Sequence, residues 1–458
     1  MTVTVPETVP ETPDPLDLAE YTPMSSVALT DAERWPGLSP VGAARRAAAE
    51  NHPSAPGWRH RVGHRLTPAE QEAARTQVPL AGWLEEHLAV ARSLPAYRRH
   101  RGPLDRLEDF PLISRQDLVE DIGGFVPLDA DYGRMLHGTS SGSTGAALVM
   151  PDDPDELARG FHWLRGVVAD LSGEWEPDPA RFAVVQVVWQ RQAFTYVSVA
   201  PGFGESLVAR VNLHPDEWAV DDQRAFLRDA DPQVVSGHPT SLERLLDLRG
   251  VVRPIAIISS AMALSATLRT ELGQTFGCPV IDVYGLHETR PVAVSTDGGP
   301  FVVADRRVHV EILGSHGSPV PEGEIGEIVV TAGENVFLPL VRYRTGDTGR
   351  LVRVDGRPAI DALEGRDATV FITPVGDRVP CVDLTQHLQD AGAHGWSVEQ
   401  AVDGSVVATI AGGDADIVAE RLGAMLARTI TVRRVGTLAD LGEGKPRRYR
   451  SAALTPPG

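Results

Sequence analysis

The chain of 458 residues has room for two domains, or for one large and one small domain with a sizeable core. Its formal charge of −19 argues against a general nucleic-acid binder, because phosphate backbones attract basic surfaces. It has no run of about 18 apolar residues, no basic-then-apolar leader, and two cysteines without metal-site spacing, Cys278 and Cys381. We predict a cytoplasmic protein that binds no membrane and no nucleic acid, with both cysteines as small core residues.

Residues 1–33 carry seven carboxylates, five prolines and no Lys or Arg. Such a segment buries little apolar surface, so we predict a disordered or loosely packed acidic tail. Helical patterns follow in SPVGAARRAAAE and in LAGWLEEHLAVARSLPAYRRHR. From about residue 181, β-rich runs alternate with helices, as in RFAVVQVVW, IAIISS, SATLRTELGQTFG and PVIDVYG, which is typical of a layered α/β domain.

Between about residues 300 and 355 the pattern is strand after strand with Gly and Pro turns, which predicts a β-subdomain. A last unit starts near Gly365 and contains a hairpin turned at Asp403-Gly404, the helix DADIVAERLGAMLART and the strand TVRRVG. We therefore predict an α/β protein with a tail over 1–33, a large layered domain over 34–364 and a small, mobile α+β domain over 365–458.

The loop HGTSSGSTGAAL sets hydroxyl side chains around two glycines, in the run Thr139, Ser140, Ser141, Gly142, Ser143, Thr144 and Gly145. Glycines let successive backbone N–H groups point at one anion, and hydroxyls add donors, so the loop can wrap a polyphosphate. It is not a Walker A loop, because Gly-Lys-Ser/Thr is missing, and a plain surface turn has a similar composition.

Two shorter motifs hold carboxylates. In PVIDVYGLHETRP, Glu288 follows Tyr284-Gly285 after a β-run, and a carboxylate at a strand end can hold Mg²⁺. In LVRYRTGDTGRL, Asp347 is predicted to lie in a tight turn between strands and to accept hydrogen bonds from a vicinal diol. Taken singly, each motif also fits an ordinary turn, with a solvated glutamate or an aspartate that caps its own backbone.

Lys445, in LGEGKPRRYR, is the only lysine among 43 basic residues. A bias toward arginine spares lysine where a compact point charge does what the planar guanidinium cannot. The alternative is a chance survivor in a basic tail beside Arg447, Arg448 and Arg450.

In this order and spacing, the motifs resemble the adenylate-forming superfamily of acyl-CoA ligases, and most of all its phenylacetate-CoA ligase branch, from about residue 105 to the end. Residues 140–145 are similar to the family's Ser-Ser-Gly-Thr-Thr-Gly loop, residues 284–288 to Tyr-Gly-x-Thr/Ser-Glu, and residues 343–347 to Tyr-Arg-Thr-Gly-Asp. The pairs Gly365-Arg366 and Gly444-Lys445 are similar to the family's late Gly-Arg and Gly-Lys pairs.

The resemblance implies a ligase that uses ATP and Mg²⁺ to make an acyl adenylate. The implied nucleotide contacts are the loop of residues 139–145 and Ser260, Ala261, Asp282, Tyr284, Gly285, Asp347 and Arg366. Tyr284 would lie against the adenine, Asp347 and Arg366 would bind the ribose, and Glu288 would bind Mg²⁺. Lys445 would bridge the attacking carboxylate and the α-phosphate, where charge develops in the transition state.

Three positions depart from the family pattern. Ala146 replaces a lysine after the phosphate loop, His287 replaces Thr or Ser, and Ala368 replaces the hinge aspartate, with Asp367 one place early. We count His287 with Lys445 and Glu288 as a catalytic candidate that lines the acyl pocket or contacts the adenylate phosphate; the alternative is a histidine that fills space beside a turn. The altered hinge weakens the inference to CoA more than the inference to adenylation.

The expected walls of the acyl pocket are Trp189, Phe194, Tyr196, Gly237, His238, Met262 and His287. Aromatic and Met side chains suit a planar aryl acid, although most such residues in any chain are core. We therefore expect an aryl carboxylic acid as substrate and CoA as acceptor. A carrier-protein thiol or an amine as acceptor, and a nucleotide-binding protein that has lost catalysis, are the alternatives. The oligomeric state stays open, with a homodimer as one option.

Overall fold

A computed structural model describes residues 29–76, 78–140, 148–173, 175–189, 193–365, 369–381, 384, 387–388, 391–441 and 448–452. Residues 1–28 of the predicted acidic tail lie outside this description. The end of that segment is helical, because Thr30 forms a capping box with Glu33 at the start of the helix Asp31–Arg34. Within the described ranges, no helix is both long enough and apolar enough to cross a bilayer.

The described α-helices are α1 (Asp31–Arg34), α2 (Pro40–Glu50), α3 (Pro68–Ala74), α4 (Trp83–Ser93), α5 (Pro95–Arg98), α6 (Arg115–Asp121), α7 (Pro154–Ser172), α8 (Val220–Ala230), α9 (Pro239–Leu245), α10 (Ala266–Phe276) and α11 (Ala415–Leu426). The first long helix predicted from the sequence is confirmed as α2, which Ser39 caps. The second is split into α4 and α5, because Pro95 holds Leu94 in an extended conformation at ψ 143°.

The strands are β1 (Leu136–Ser140), β2 (Leu148–Asp152), β3 (Val184–Val188), β4 (Tyr196–Val199), β5 (Leu207–Asn212), β6 (Val234–Gly237), β7 (Ala256–Ser260), β8 (Val280–Leu286), β9 (Arg290–Ser295), β10 (Phe301–Val303), β11 (Val308–Leu313), β12 (Ile325–Ala332), β13 (Leu340–Val354), β14 (Arg357–Glu364), β15 (Val370–Ile372), β16 (Arg378–Pro380), β17 (Ala393–Gln400), β18 (Val406–Gly412), β19 (Ile430–Val435) and β20 (Tyr449–Ser451).

One sheet of 12 strands forms the body of the large domain, in the order β11-β12-β13-β14-β10-β9-β8-β7-β6-β3-β5-β4. Strands β5, β3, β6, β7 and β8 are parallel, as the alternation of strands and helices predicts. The strands predicted as a β-subdomain are the antiparallel half of this same sheet, joined to the parallel half where β8 pairs with β9.

Alternate residues of the parallel strands pack into different cores, because successive side chains of a strand point to opposite faces. Val235 and Ile257 belong to a cluster with α8, α9 and α10, whereas Val234 and Ile258 belong to a second cluster with α7. Helices thus cover both faces, and the strand ends are left at the edge where the site lies.

The predicted turn around Asp347 is wrong, because β13 runs without a break through Leu340–Val354. Its register against β12 shifts between Glu327 and Val329, which marks a bulge in β13. Gly346 lies in that bulge at φ 76°, a conformation that glycine adopts without strain. The bulge bends the strand without ending it, and it aims the Asp347 side chain.

The small C-terminal domain is a four-stranded sheet in the order β19-β18-β17-β20, with α11 against it. The hairpin predicted at Asp403-Gly404 is confirmed by the pairing of Gln400 with Val406. A separate buried cluster fills this unit and contains Cys381, Trp396 and Tyr449. Cys278, in contrast, is only half-buried beside the core of the large domain.

The small domain docks on α9 and α10 of the large domain. Leu438, in the 3₁₀ helix Leu438–Leu441, is 5% exposed and packs in the same cluster as Leu242 and Leu245 of α9. Its backbone N–H donates to Oε2 of Glu243 at 3.0 Å. This contact fixes the orientation of the two domains in the structure.

Residues 57–62 run beside β4, the edge strand of the large sheet. The backbone N–H groups of Arg59 and His60 donate to the Thr195 carbonyl, and the Thr195 hydroxyl donates to the Gly57 carbonyl at 2.6 Å. Farther along, the Ser198 hydroxyl donates to the Val62 carbonyl at 2.7 Å. The edge strand is therefore covered by a preceding part of the same chain.

Candidate active site

The parallel strands end side by side at one edge of the sheet. Gly237 on β6 pairs with Val187 on β3 and with Ser259 on β7, and Ser259 pairs with Asp282 on β8. Neighbouring strands lie about 4.8 Å apart, and ligands of open α/β sheets bind at this carboxyl edge. This edge brings together the predicted residues Trp189, Gly237, His238, Ser260, Ala261, Tyr284 and Gly285.

Tyr284 and Asp347 are joined by a hydrogen bond. The Tyr284 hydroxyl donates to Oδ2 of Asp347 at 2.9 Å, and both side chains are buried. The Asp347 backbone N–H donates to the Thr345 hydroxyl at 3.0 Å, which fixes the bulge of β13. The residue predicted against the adenine and one of those predicted at the ribose therefore lie in contact.

Glu288 lies in the turn between β8 and β9, shortly after Tyr284 in the chain, and it is 4% exposed. Its Oε1 accepts hydrogen bonds from Arg115 at 2.9 Å and from the Tyr343 hydroxyl at 3.1 Å. Arg115 reaches this point because Ile113 forms a parallel bridge with Tyr343, so that the start of α6 lies against β13. The Glu288 carboxylate is thus buried, neutralised and fixed in direction.

His287 contacts a second carboxylate, at the end of β2. Its Nε2 lies 3.4 Å from Oδ2 of Asp152, which also forms an ion pair with Arg290. A Cβ at position 138 would lie only 2.6 Å from His287 Nε2, so Gly138 makes room for the imidazole beside β1. The histidine that replaces the family's Thr or Ser is therefore held between the strands that flank the predicted phosphate loop.

Behind His287 lies Glu156, on α7. It is buried, and Arg290 is its near cation at 3.5 Å. Burial raises the pKa of Glu156 to about 7, although Arg290 and Arg306 oppose the shift. Glu156 is therefore a protonatable carboxyl group that is connected to His287 through Arg290 and Asp152.

The loop that follows β7 contains two of the predicted residues, Ala261 and Met262. Ala261 has φ 68°, a conformation that costs a non-glycine residue about 1–2 kcal/mol. Beside it, Met262 is half-buried. Burial raises the pKa of Asp282 to about 6, with Arg269 at 3.8 Å as its nearest cation. The strained residue and the buried carboxyl group lie at the same strand edge as Tyr284.

Two of the expected acyl-pocket residues have contacts that limit that role. Trp189 lies between the His214 ring, at 5.1 Å, and the Arg244 guanidinium, at 5.5 Å. His238 caps the N-terminus of α9, where its Nδ1 accepts the Ser241 N–H at 3.4 Å. Both lie at the carboxyl edge, where they border the space beside Tyr284.

Phe194 and Tyr196 are placed elsewhere. They belong to the β4 edge, five strands from β8, which is roughly 24 Å of sheet width. Their rings contact each other at 5.2 Å, and the Phe194 ring contacts His60 at 4.2 Å. The structure therefore does not bring these two residues to Tyr284.

Several predicted residues lie outside the described part of the chain. They are Ser141, Gly142, Ser143, Thr144, Gly145, Ala146, Arg366, Asp367, Ala368 and Lys445. Thr139 and Ser140 belong to β1, and only their backbone is described. The side chains of the phosphate loop and of the lysine motif remain sequence-based predictions.

One oxygen of the Glu288 carboxylate could hold a divalent cation, while Arg115 pairs with the other oxygen. Both described contacts to its carboxylate end on Oε1, which leaves Oε2 for a ligand as far as the described residues show. Within the same ranges, no three His, Cys, Asp or Glu side chains form a metal cluster. Mg²⁺ commonly takes one or two carboxylates and completes its shell with phosphate and water oxygens, so one glutamate is sufficient.

Two residues of this site are not found by sequence reasoning. Arg115 contacts Glu288 across 173 residues of chain, and Asp152 contacts His287 across 135. Both belong to ordinary-looking segments, ISRQDL and MPDDPDEL. For Asp152, its position shortly after the phosphate loop is a sequence signal that it could lie near the site.

Comparisons with known proteins identify the family of the chain. The family model described as AMP-binding enzyme matches residues 172–339. A phenylacetate-coenzyme A ligase of Escherichia coli (strain K12) is 25% identical over 338 residues, or 67% of this chain and 74% of that protein. A phenylacetate-coenzyme A ligase of Pseudomonas putida is 30% identical over 307 residues, or 61% of this chain and 68% of that protein.

A solved structure has the same fold. It is the crystal structure of 2-hydroxyisobutyryl-CoA ligase in the postadenylation state in complex with R3-HIB-AMP, with a TM-score of 0.59 and 14% sequence identity. The match covers 82% of this chain and 91% of that chain. The chain belongs to the adenylate-forming superfamily of AMP-binding enzymes, on its phenylacetate-CoA ligase-like branch.

Proposed function

We propose that this enzyme activates an aryl carboxylic acid as its acyl adenylate, with ATP and Mg²⁺, and transfers the acyl group to CoA in the cytoplasm. Membership of the family makes it an AMP-forming acid ligase that uses ATP. The aryl acid and the CoA acceptor are supported by the names of its relatives, which are phenylacetate-coenzyme A ligases. Met262, half-buried in the loop after β7, would provide apolar surface for such an acid.

One observation carries the proposal: the hydrogen bond between Tyr284 and Asp347 lies beside the fixed carboxylate of Glu288. An aromatic ring, a diol acceptor and a metal-binding carboxylate then share one strand edge. We propose that Tyr284 lies against the adenine and that Asp347, with Arg366, binds the ribose. Residues 139–145, Ser260, Ala261, Asp282 and Gly285 complete the proposed nucleotide site.

In the first half-reaction, a carboxylate oxygen attacks the α-phosphorus of ATP. The new C–O–P link forms while the bond to pyrophosphate breaks. Lys445 stabilises the charge that builds between the carboxylate and the α-phosphate. When bound at Glu288, Mg²⁺ would neutralise charge on the phosphates.

In the second half-reaction, the thiol of CoA attacks the acyl carbon and AMP leaves. We propose that the chain divides for these two steps at residues 364 and 365. The support is the separate core of the C-terminal unit, which includes Phe371, Trp396 and Tyr449. An altered hinge at Ala368 still permits rotation, because hinges have no fixed residue type.

Pyrophosphate release tests the proposal. The enzyme is incubated with ATP, Mg²⁺ and a panel of aryl and aliphatic acids, with and without CoA. We expect release that depends on an aryl acid and that CoA accelerates, with an aryl-CoA thioester as product. Release that is indifferent to CoA would contradict the acceptor, and a preference for aliphatic acids would contradict the substrate class.

A second candidate function shares the adenylation step but passes the acyl group to an amine or to a carrier-protein thiol. The sequence departure at the hinge motivates it, because Ala368 replaces the family's aspartate and this weakens the inference to CoA more than the inference to adenylation. Amines and carrier proteins therefore belong in the same panel, and an amide or protein-bound thioester would identify them. A protein that has lost catalysis would bind ATP and exchange no pyrophosphate with any acid.

A further inference from the structure

Arg448 connects the two domains directly at the candidate nucleotide site. It immediately precedes β20 in the small domain, and its Nη2 donates to the Ala263 carbonyl at 3.0 Å. Ala263 belongs to the loop after β7, which follows Ser260 and also contains Ala261 and Met262. The charge of Arg448 also reaches Asp282, whose pKa it helps to lower against the effect of burial.

Within the small domain, the Arg448 guanidinium stacks on an aromatic ring. It lies 4.4 Å from the centre of the Trp396 ring, and Trp396 is 1% exposed. The Trp396 indole N–H in turn donates to the Tyr449 hydroxyl at 2.7 Å. The Arg448 carbonyl accepts the Val398 N–H at 2.7 Å, which ties β20 to β17. A flat cation can stack on an indole and still donate sideways, whereas an ammonium cannot match both contacts.

The chain position of Arg448 gives these contacts a function. It comes three residues after Lys445 in KPRR, so its side chain is the first described anchor that follows the lysine motif. We propose that Arg448 is a positioning residue for adenylation: it holds the small domain, at the point where the chain leaves the lysine motif, against the loop after β7. This inference rests on the proposed function, because it requires Lys445 to act in the first half-reaction.

Acid-dependent ATP–pyrophosphate exchange by the full chain tests the role of Arg448. Arg448→Ala should lower kcat by between about tenfold and a hundredfold, because small misplacements of a reacting group cost that much. The KM for ATP should change less than about threefold, since the loss falls on the transition state. Arg448→Lys should recover little of the rate, because it keeps the charge but loses the stacked fork.

Arg450→Ala is the matched control. Arg450 is on the same strand, and it pairs with Glu399 at 2.9 Å within the small domain, with 58% of its side chain exposed. We expect this variant to keep exchange within about twofold of the parent, because exposed pairs contribute little. Equal losses in the two alanine variants, full activity of Arg448→Ala, or full rescue by Arg448→Lys would overturn the positioning role.

A double-mutant cycle with Lys445→Ala separates the two proposals. Single-turnover reactions with excess enzyme measure the slow residual rates. If Arg448 acts through Lys445, Arg448→Ala should cost nothing further in the Lys445→Ala background. Additive losses would overturn the positioning role alone. A parent-like rate in Lys445→Ala itself would overturn the catalytic role proposed for Lys445, and with it the positioning role of Arg448.

Discussion

The Tyr284 hydroxyl lies 2.9 Å from Oδ2 of Asp347, in a buried setting where the phenol has the carboxylate as its acceptor. Two motifs that are 63 residues apart in the chain are thereby combined into one surface. One member of the pair provides a ring, and the other provides oxygen atoms for a sugar. The hydrogen bond fixes the ring and the carboxylate relative to each other.

Tyr284→Phe tests this coupling, since it keeps the ring and removes the donor. The loss of one hydrogen bond should cost about 0.5–1.5 kcal/mol, which raises the KM for ATP roughly two- to tenfold. Initial rates at varied ATP measure this. Tyr132→Phe is the control, because Tyr132 is 54% exposed and donates only to a nearby backbone carbonyl. An unchanged KM in Tyr284→Phe would contradict a nucleotide role for the pair.

The pair of Arg115 and Glu288 should matter for stability. Arg115→Ala leaves the Glu288 carboxylate, with 3% of its side chain exposed, without its cation. Breaking a buried pair costs about 3–5 kcal/mol, and we expect about 2–3 because 18% of Arg115 is exposed to solvent. Urea unfolding should show that the double variant Arg115→Ala/Glu288→Gln recovers part of this loss.

The exposed pair of Arg344 and Glu327 is the control for that experiment. Its two side chains are 49% and 23% exposed. Arg344→Ala should cost less than about 1 kcal/mol. Equal costs for Arg115→Ala and Arg344→Ala would mean that burial does not strengthen the Glu288 pair.

The buried carboxyl group of Glu156 should make stability depend on pH. Burial raises its pKa from 4.5 to about 7, so the folded state holds the proton more tightly than the unfolded state does. The folded state therefore loses stability as the pH rises from about 4.5 to 7, by up to about 3 kcal/mol. Glu156→Gln should be more stable than the parent at pH 8 and should lose that advantage at pH 5. Glu72→Gln, which alters an exposed side chain, should leave the free energy of unfolding unchanged at both pH 5 and pH 8. A constant difference between pH 5 and pH 8 would contradict the raised pKa.

Leu438→Ala should loosen the docking of the small domain. Removal of a buried leucine costs about 2–5 kcal/mol, and this side chain lies where the two domains meet. Hydrogen exchange should become faster in β17 and around α9 and remain slow in the parallel strands. Leu128→Ala, at a position that is 67% exposed, should leave exchange unchanged. Faster exchange throughout the protein would instead indicate a loss of global stability.

Lys445→Arg keeps the charge and changes its shape. We expect the variant to lose most adenylation activity, because a guanidinium does not fit between two oxygens as an ammonium does, while nucleotide binding persists. Pyrophosphate exchange and nucleotide titration measure the two properties. Arg450→Lys is the reverse exchange at an exposed position and should be silent. Near-normal turnover of Lys445→Arg would make the single lysine a surface residue.

Local patterns of the sequence predict the strands, the helices and the order of the motifs. The runs around Tyr284 and the hairpin at Asp403-Gly404 are examples, because strand alternation and turn residues are local properties. The continuous strand through Asp347 could not be predicted in this way. A glycine such as Gly346 is typical of a turn. It lies in a bulge of a continuous strand here because β13 pairs with both β12 and β14.

Contacts made by tertiary packing are not found either. Arg115 and Asp152 reach the site through elements that pack across the sheet, and no spacing within the chain indicates this. The same limit applies to Phe194 and Tyr196. Aromatic residues near a strand suggest a pocket, but the strand order decides that they lie on the far side of the sheet.

The cover that residues 57–62 place on β4 bears on how copies of the enzyme can associate. An open edge strand is a template on which a second chain can extend the sheet. Here the carbonyl of Thr195 already accepts the N–H groups of Arg59 and His60. For one sheet to continue through both subunits at β4, residues 57–62 would first have to move away from this strand. These contacts make the β4 edge a poor template for strand pairing with a second copy of the chain.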